Sequence, residues 1–280
     1  EPFSDFSQIP TLLLSELAKK QVTVSLSGDA GDELFGGYNR YIGVNNWWPK
    51  INSMPYWLRI FLSSKILSIS PLTWEGFEEL SSKVISKRIP VGGLSNKMQK
   101  VGSVLGVKDE SELYNHFVSN WSFPEEVVLK AVEPIIPNIA DEINFDDTIS
   151  KMMAMDTMKY LPDDILVKLD RAAMSVSLET RVPFLDHRII EFAWTLPLSM
   201  KIRSGQGKWI LRQLLDKYVP NKLTERPKTG FNLPIDKWLR GPLKDWAEEL
   251  LDEKRLIREG YLNPLPIRQK WDEHISGKYN

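Results

Sequence analysis

The 280-residue chain contains no cysteine. Disulfides and thiolate metal sites are excluded, and so is any step that needs a cysteine nucleophile. The absence fits a reducing compartment, and a cytoplasmic location is the expectation. An excess of one charge sign is also missing: 36 Lys and Arg face 37 Asp and Glu, for a net charge of −1. That balance offers no electrostatic footprint for nucleic acid. Long apolar runs are lacking. Stretches such as Ile60-Phe61-Leu62-Ser63-Ser64-Lys65-Ile66-Leu67 are interrupted by Ser or Lys, and a spanning helix needs about 20 apolar residues. No membrane partner is expected. The three histidines, His116, His187 and His274, are scattered and suggest neither a metal triad nor a Ser–His pair. The opening Glu1-Pro2-Phe3-Ser4-Asp5 has neither a basic start nor an apolar run, so no signal peptide is expected. No internal repeat or low-complexity segment is visible. What remains, 42% hydrophobic and 26% charged, is ordinary for a globular protein with a sizeable core.

Against this background one stretch stands out. Ser27-Gly28-Asp29-Ala30-Gly31-Asp32-Glu33-Leu34-Phe35-Gly36-Gly37-Tyr38 follows the alternating run Val22-Thr23-Val24-Ser25-Leu26. The pattern reads as a buried strand over 21–27, a tight turn and a ligand loop. Glycine lets a backbone approach a ligand closely. Carboxylates at 29, 32 and 33 suit Mg²⁺, a hard cation that favours oxygen donors and phosphate partners. A solvated acidic turn is the plain alternative, and the spacing of an EF-hand calcium loop is absent.

The loop resembles the second signature of the glutamine-dependent asparagine synthetase family, with Ala30 where glycine is common and Asp29 where Glu also occurs. The resemblance continues through Leu161–Asp186 and Leu223–Trp238. It implies that Ser27 and Gly28 bind ATP and that Asp32 holds Mg²⁺ on pyrophosphate. Asp29 would meet the reacting carboxyl and amine, with Glu33 as a nearby second acid toward the substrate. In Leu161-Pro162-Asp163-Asp164-Ile165-Leu166-Val167-Lys168-Leu169-Asp170-Arg171, Lys168 and Arg171 can share a helix face. Spacing alone suggests a surface ion-pair network with Asp164 and Asp170. The resemblance instead puts Arg171 in the substrate pocket, where a guanidinium can grip a carboxylate or phosphate. In Arg226-Pro227-Lys228-Thr229-Gly230-Phe231, a loop lysine is by itself only a solvated charge. The resemblance makes Lys228 a catalytic cation for the α-phosphate and departing pyrophosphate, an electrostatic role.

The fold implied is α/β: the C-terminal part of a Rossmann-like adenine-nucleotide alpha hydrolase (pyrophosphatase-loop ATPase) domain, mostly helical as truncated. Residues 1–280 would form a partial synthetase domain with a helical insertion at about 40–150. The family's phosphate-binding Ser-Gly-Gly-x-Asp-Ser is not found, and Val91-Gly92-Gly93-Leu94-Ser95-Asn96 is only a partial lookalike. The glutaminase domain, with its cysteine nucleophile, is expected to be missing too, so ammonia derived from glutamine would reach aspartate from outside this segment. A homodimer is left open. The activity implied is ATP-dependent amidation of aspartate through β-aspartyl-AMP, with the isolated chain inactive. A related enzyme acting on another carboxylate, such as a β-lactam synthetase-like one, and a non-catalytic binding module remain alternatives. Relatives that close lactams carry Tyr at the position of Asp29.

Other local expectations concern structure. Helices are expected over 7–20, 96–105, 110–120, 146–160, 207–218 and 235–239, with a helical tail from 242 and a new helix opening at Pro162. Trp47, Trp48, Trp57, Trp74 and Trp121 are expected to pack in the interior, as is the cluster Ile149, Met152, Met153 and Met155. Glu179 and Arg181 are expected as a buried pair, and Asp186 as the cap of a helix starting near His187.

Overall fold

The structure, a computed structural model, describes residues 5–69, 73–74, 93–119, 121, 124–132, 145, 147–224 and 233–277. It divides into two units, Glu1–Pro49 with Pro137–Leu233, and Lys50–Ile136 with Pro234–Asn280. Both are mainly helical, and among the described residues no helix is long and apolar enough to cross a membrane.

The first unit opens with α1 (Gln8–Lys19), then β1 (Val24–Leu26), α2 (Gly31–Phe35) and α3 (Asn39–Asn52), in which the chain crosses to the second unit. It resumes with α4 (Thr148–Met155), which runs without interruption into a π-helix over Asp156–Leu166 and then into α5 (Val167–Met174). Pro162 therefore lies inside a continuous helix and does not open a new one. A proline ring clashes with the carbonyl four residues back, and the wider π register is where this helix accommodates it. β2 (Glu179–Arg181) pairs parallel with β1, in the register Val24↔Glu179, Ser25↔Thr180 and Leu26↔Arg181. A short 3-10 turn over Pro183–Leu185 leads to α6 (His187–Thr195), capped as expected by Asp186 Oδ1 accepting from the Arg188 amide at 2.9 Å.

The core of this unit joins α2 to the π-helix and α6: Leu34 and Phe35 pack with Leu161, Ile165 and Ala193. Phe35 meets Phe184 at 5.7 Å between ring centroids. Ile149, Met152, Met153 and Met155 are buried, as the methionine spacing suggested. Two expectations are corrected. β1 is not buried: Val24 is 38% exposed and Leu26 75%, because among the described residues it has one neighbouring strand where a parallel sheet is normally covered on both faces. The Glu179–Arg181 pair forms at 2.8 Å, but both side chains are more than half exposed.

The second unit contains α7 (Tyr56–Ser68), α8 (Gly93–Gly106) and α9 (Glu110–Val118), and later α10 (Ile235–Arg240), α11 (Lys244–Leu250), α12 (Glu253–Glu259) and α13 (Pro264–Ile275). Ser63 Oγ donates to the Gly102 carbonyl at 2.7 Å, tying α7 to α8. A small cluster of Val127, Leu256 and Ile267 anchors the C-terminal helices. Of the tryptophans, Trp48 is buried, whereas Trp57 is 71% exposed and Trp121 37%; aromatic content does not fix which side a ring faces.

Candidate functional site

The acidic loop leaves β1 at its carboxyl end, the edge where open α/β sheets place their ligands. The ladder runs one step past the strand, since the Ser27 amide donates to the Arg181 carbonyl at 2.8 Å. The Ser27 hydroxyl then donates to Asp29 Oδ2, so the first two polar groups of the loop are joined. Ser27 and Asp29 are half-buried and Gly28 is exposed. Ala30 turns the chain with φ at 65°, in the left-handed region, and starts α2. Non-glycine residues seldom adopt that conformation, and it costs about 1–2 kcal/mol.

Asp32 and Glu33 are neighbours with opposite surroundings. Asp32 is partly exposed, and its Oδ1 lies 3.1 Å from Lys208 Nζ. Glu33 is 1% exposed and accepts from the Tyr38 hydroxyl at 2.5 Å. Burial pushes the Glu33 carboxyl above its ordinary range, against the Tyr38 hydrogen bond, and the nearby Asp32 and Asp156 carboxylates push the same way. The acid expected beside the substrate is thus held in the interior.

Lys208 was not singled out from the sequence, where it is one lysine in Gly205-Gln206-Gly207-Lys208. It too is left-handed, with φ at 55°, and its amide donates to the Phe35 carbonyl at 3.0 Å. Gly207 makes that approach possible: a Cβ there would sit 2.3 Å from the Gly36 carbonyl oxygen. At Gly37 a Cβ would sit 1.9 Å from Asp32 Oδ1 and 2.4 Å from Lys208 Cε, so this glycine leaves the space that both side chains occupy.

Beneath the loop lies a second cluster that the sequence did not signal. Asp156, fully buried, pairs with Arg40 Nη2 at 2.7 Å and accepts from the Tyr41 hydroxyl. The Arg40 guanidinium lies 4.2 Å over the Tyr38 ring and 5.2 Å from that of Tyr160. Arg171 is half-buried on α5, which packs against β2. Lys168 pairs with Asp5 at 2.8 Å. Lys228 and the Val91–Gly92 part of the phosphate-loop lookalike lie outside the described residues. The structure thus brings Ser27 to Asp29, Asp32 to Lys208, and Glu33 to Tyr38.

Among the described residues no cluster of three acids or histidines could hold a metal ion on its own. One partly exposed carboxylate does fit Mg²⁺, which is usually bound through one or two carboxylates together with substrate phosphates. His187 is 79% exposed at the side chain, and its Nδ1 lies 3.8 Å from Asp186 Oδ1.

The family model for asparagine synthase matches residues 1–280. A protein named asparagine synthetase [glutamine-hydrolyzing] 1 from Bacillus subtilis is 28% identical over 99% of this chain and 41% of its own length. A putative asparagine synthetase [glutamine-hydrolyzing] from Mycobacterium tuberculosis is 31% identical over 99% of this chain and 40% of its own. Amidase chry2 from Gibberella zeae is 23% identical over 94% of this chain. The chain spans about 40% of the length of these curated relatives. No solved structure matches it.

Proposed function

The chain belongs to the asparagine synthase family, and we propose that it is the synthetase portion of an ATP-dependent enzyme that amidates aspartate. The observation that carries this reading is the loop at the carboxyl end of β1, where Asp32 and Lys208 face each other at 3.1 Å. A carboxylate for a phosphate-bound cation and an ammonium for phosphate oxygens are there held by glycine-limited packing. The relatives are named for glutamine-dependent asparagine synthesis, which supports aspartate and glutamine-derived ammonia as substrates.

In this reading an oxygen of the aspartate side-chain carboxylate attacks the α-phosphorus of ATP. The bond from that phosphorus to the bridging oxygen breaks, and pyrophosphate leaves with the electron pair. Ammonia then attacks the β-aspartyl-AMP carbonyl carbon; the C–N bond forms, AMP departs, and nitrogen gives up a proton. Ser27 and Gly28 lie against the nucleotide. Asp29, which accepts from the Ser27 hydroxyl, takes that proton in this reading. Arg171 grips the substrate carboxylate. Asp32 would hold Mg²⁺, which when bound offsets charge on pyrophosphate oxygens. Lys228, and Lys208 beside Asp32, stabilise the same leaving charge.

The test is aspartate- and Mg²⁺-dependent pyrophosphate release from ATP, in residues 1–280 and in the natural full-length polypeptide. Release by the full-length protein that falls about a hundredfold in Lys228→Ala, the scale of losing one preorganised charge-stabilising group, is the expected result. Absence of release with aspartate overturns the substrate assignment. That a relative matched over 94% of this chain is named an amidase and not for asparagine synthesis favours a second reading, the same adenylation on another carboxylate. Release with other acids in place of aspartate distinguishes it.

A further inference from the structure

The acidic loop does not stand alone, because one buried carboxylate beneath it joins the two elements that carry the candidate binding groups. Asp156 begins the π-helix that continues into α5, the bearer of Arg171. It meets Arg40 from α3 at 2.7 Å. The Arg40 guanidinium lies 4.2 Å over Tyr38, and the Tyr38 hydroxyl donates to Glu33 at 2.5 Å. Glu33 is the chain neighbour of Asp32 on α2. The sequence of contacts therefore runs from the helix of Arg171 to the short helix of Asp32.

Stability alone is a poor reason for such a group. Desolvating a carboxylate and a guanidinium offsets much of their attraction, and apolar residues of similar volume often serve as well. The cluster also holds two buried carboxylates, Glu33 and Asp156, beside one guanidinium. What it does supply is direction. A planar guanidinium clamped between a carboxylate and an aromatic face has little freedom, and a side chain so fixed can orient a neighbouring binding group.

We infer that Asp156 is a positioning residue: through Arg40, Tyr38 and Glu33 it sets the place of Asp32 relative to the helix that carries Arg171. This rests on the proposed role of Asp32 toward magnesium pyrophosphate. The test is calorimetric binding of magnesium pyrophosphate to the natural full-length polypeptide, in wild type, Asp156→Asn and Tyr41→Phe. Asp156→Asn keeps an acceptor for Tyr41 but removes the charge that holds Arg40. Tyr41→Phe removes a partner of the same carboxylate and leaves Arg40 in place.

Asp156→Asn is expected to weaken binding about tenfold, the scale of losing a group that orients a ligating residue. Tyr41→Phe lowers the melting temperature and leaves binding as in wild type. Wild-type binding by a folded Asp156→Asn variant overturns the inference, as does parallel weakening in both variants, which marks a purely structural role. Should Asp156→Asn fail to fold, Arg40→Lys takes its place: it keeps the charge and loses the stack on Tyr38, so undiminished binding overturns the inference. Failure of the wild type to bind is a different outcome, since it removes the reading of Asp32 and the inference with it.

Discussion

In the first unit the Asp156 carboxylate is fully buried, and one partner, Tyr41, is 115 residues away in the chain. In the second unit, by contrast, Arg255 pairs with Glu259 and Arg268 with Asp272 across one turn of helix, and all four side chains face solvent to some degree. Local pairs of the second kind follow from helix geometry and contribute little. Distant buried pairs need the whole fold to form before they gain anything, and they are costly to leave half-made. The acidic loop sits above the costly kind. At the Arg40–Asp156 pair this chain carries an energetic burden beyond what holding helices together requires, and the candidate site lies there; the second unit also buries a charge, but Arg59 donates to the Lys108 carbonyl at 3.1 Å.

The sharpest way to break that comparison is Asp156→Ala. Removing the carboxylate strands the Arg40 guanidinium in the interior, and a loss of about 4 kcal/mol in urea denaturation is expected. A loss under about 1 kcal/mol would mean that Arg40 reaches water without it, as exposed pairs do. Next is Gly207→Ala. The new Cβ would lie 2.3 Å from a backbone oxygen, which cannot swing aside as a side-chain tip can. A cost of about 2 kcal/mol is expected from such overpacking, together with weaker magnesium pyrophosphate binding as Lys208 is displaced. Unchanged stability would show that the Gly36–Lys208 approach is slack.

Residues such as Asp156 and Lys208 explain why half of the site was illegible in the sequence. The loop from Ser27 to Tyr38 announces itself, because its chemistry is written in consecutive residues. Asp156 is a single acid at the end of a methionine-rich helix, and Lys208 a single lysine in a turn. Their partners are set by tertiary packing, which leaves no local pattern. The same limit applies to the fold. Alternation identified β1 as a strand, but exposure of Leu26 depends on what lies across the sheet. Likewise Trp48 and Trp57 are equally aromatic, and only one is buried. Where the determinant is local, as with the Asp186 cap or the spacing of Met152, Met153 and Met155, sequence and structure agree. Pro162 is the instructive exception: its local rule says that a helix opens there, and the π register overrides it.

A gentler probe is pH. Lys201 is 3% exposed, with its ammonium 4.5 Å over the Trp194 ring. Burial pulls its pKa down from 10.5 to about 8, and the attraction of Asp147 only partly opposes this. The folded chain therefore releases this proton more readily than the unfolded chain. Between about pH 8 and 10.5 the unfolded state binds more protons, so this group makes stability rise with pH across that window. Below it both states are charged, and the folded state carries the desolvation cost in full. Lys201→Met, which fills a similar volume without the charge, should be more stable than wild type at pH 7 and lose the upward slope. Parallel stability–pH curves for the two proteins would place Lys201 in water.

The smallest effect is expected at Glu259→Gln, and it tests the other side of the comparison. The Arg255–Glu259 pair is well formed at 2.8 Å, so geometry alone would rank it beside Arg40–Asp156. Its setting says otherwise. Arg255 stands near the N-terminal end of α12 and Glu259 at its C-terminal end, each charge opposed to the helix dipole. The order, base before acid, is also the weaker arrangement for residues four apart. Solvent and salt screen what attraction is left. Removing the Glu259 charge relieves the unfavourable dipole contact while losing the pair, and the two nearly cancel. The melting temperature should stay within the scatter of replicate scans, at low and at high salt. A clear loss at low salt that vanishes at high salt would show that one-turn pairs on this surface do carry stability, and burial would then cease to be what separates the two kinds of pair.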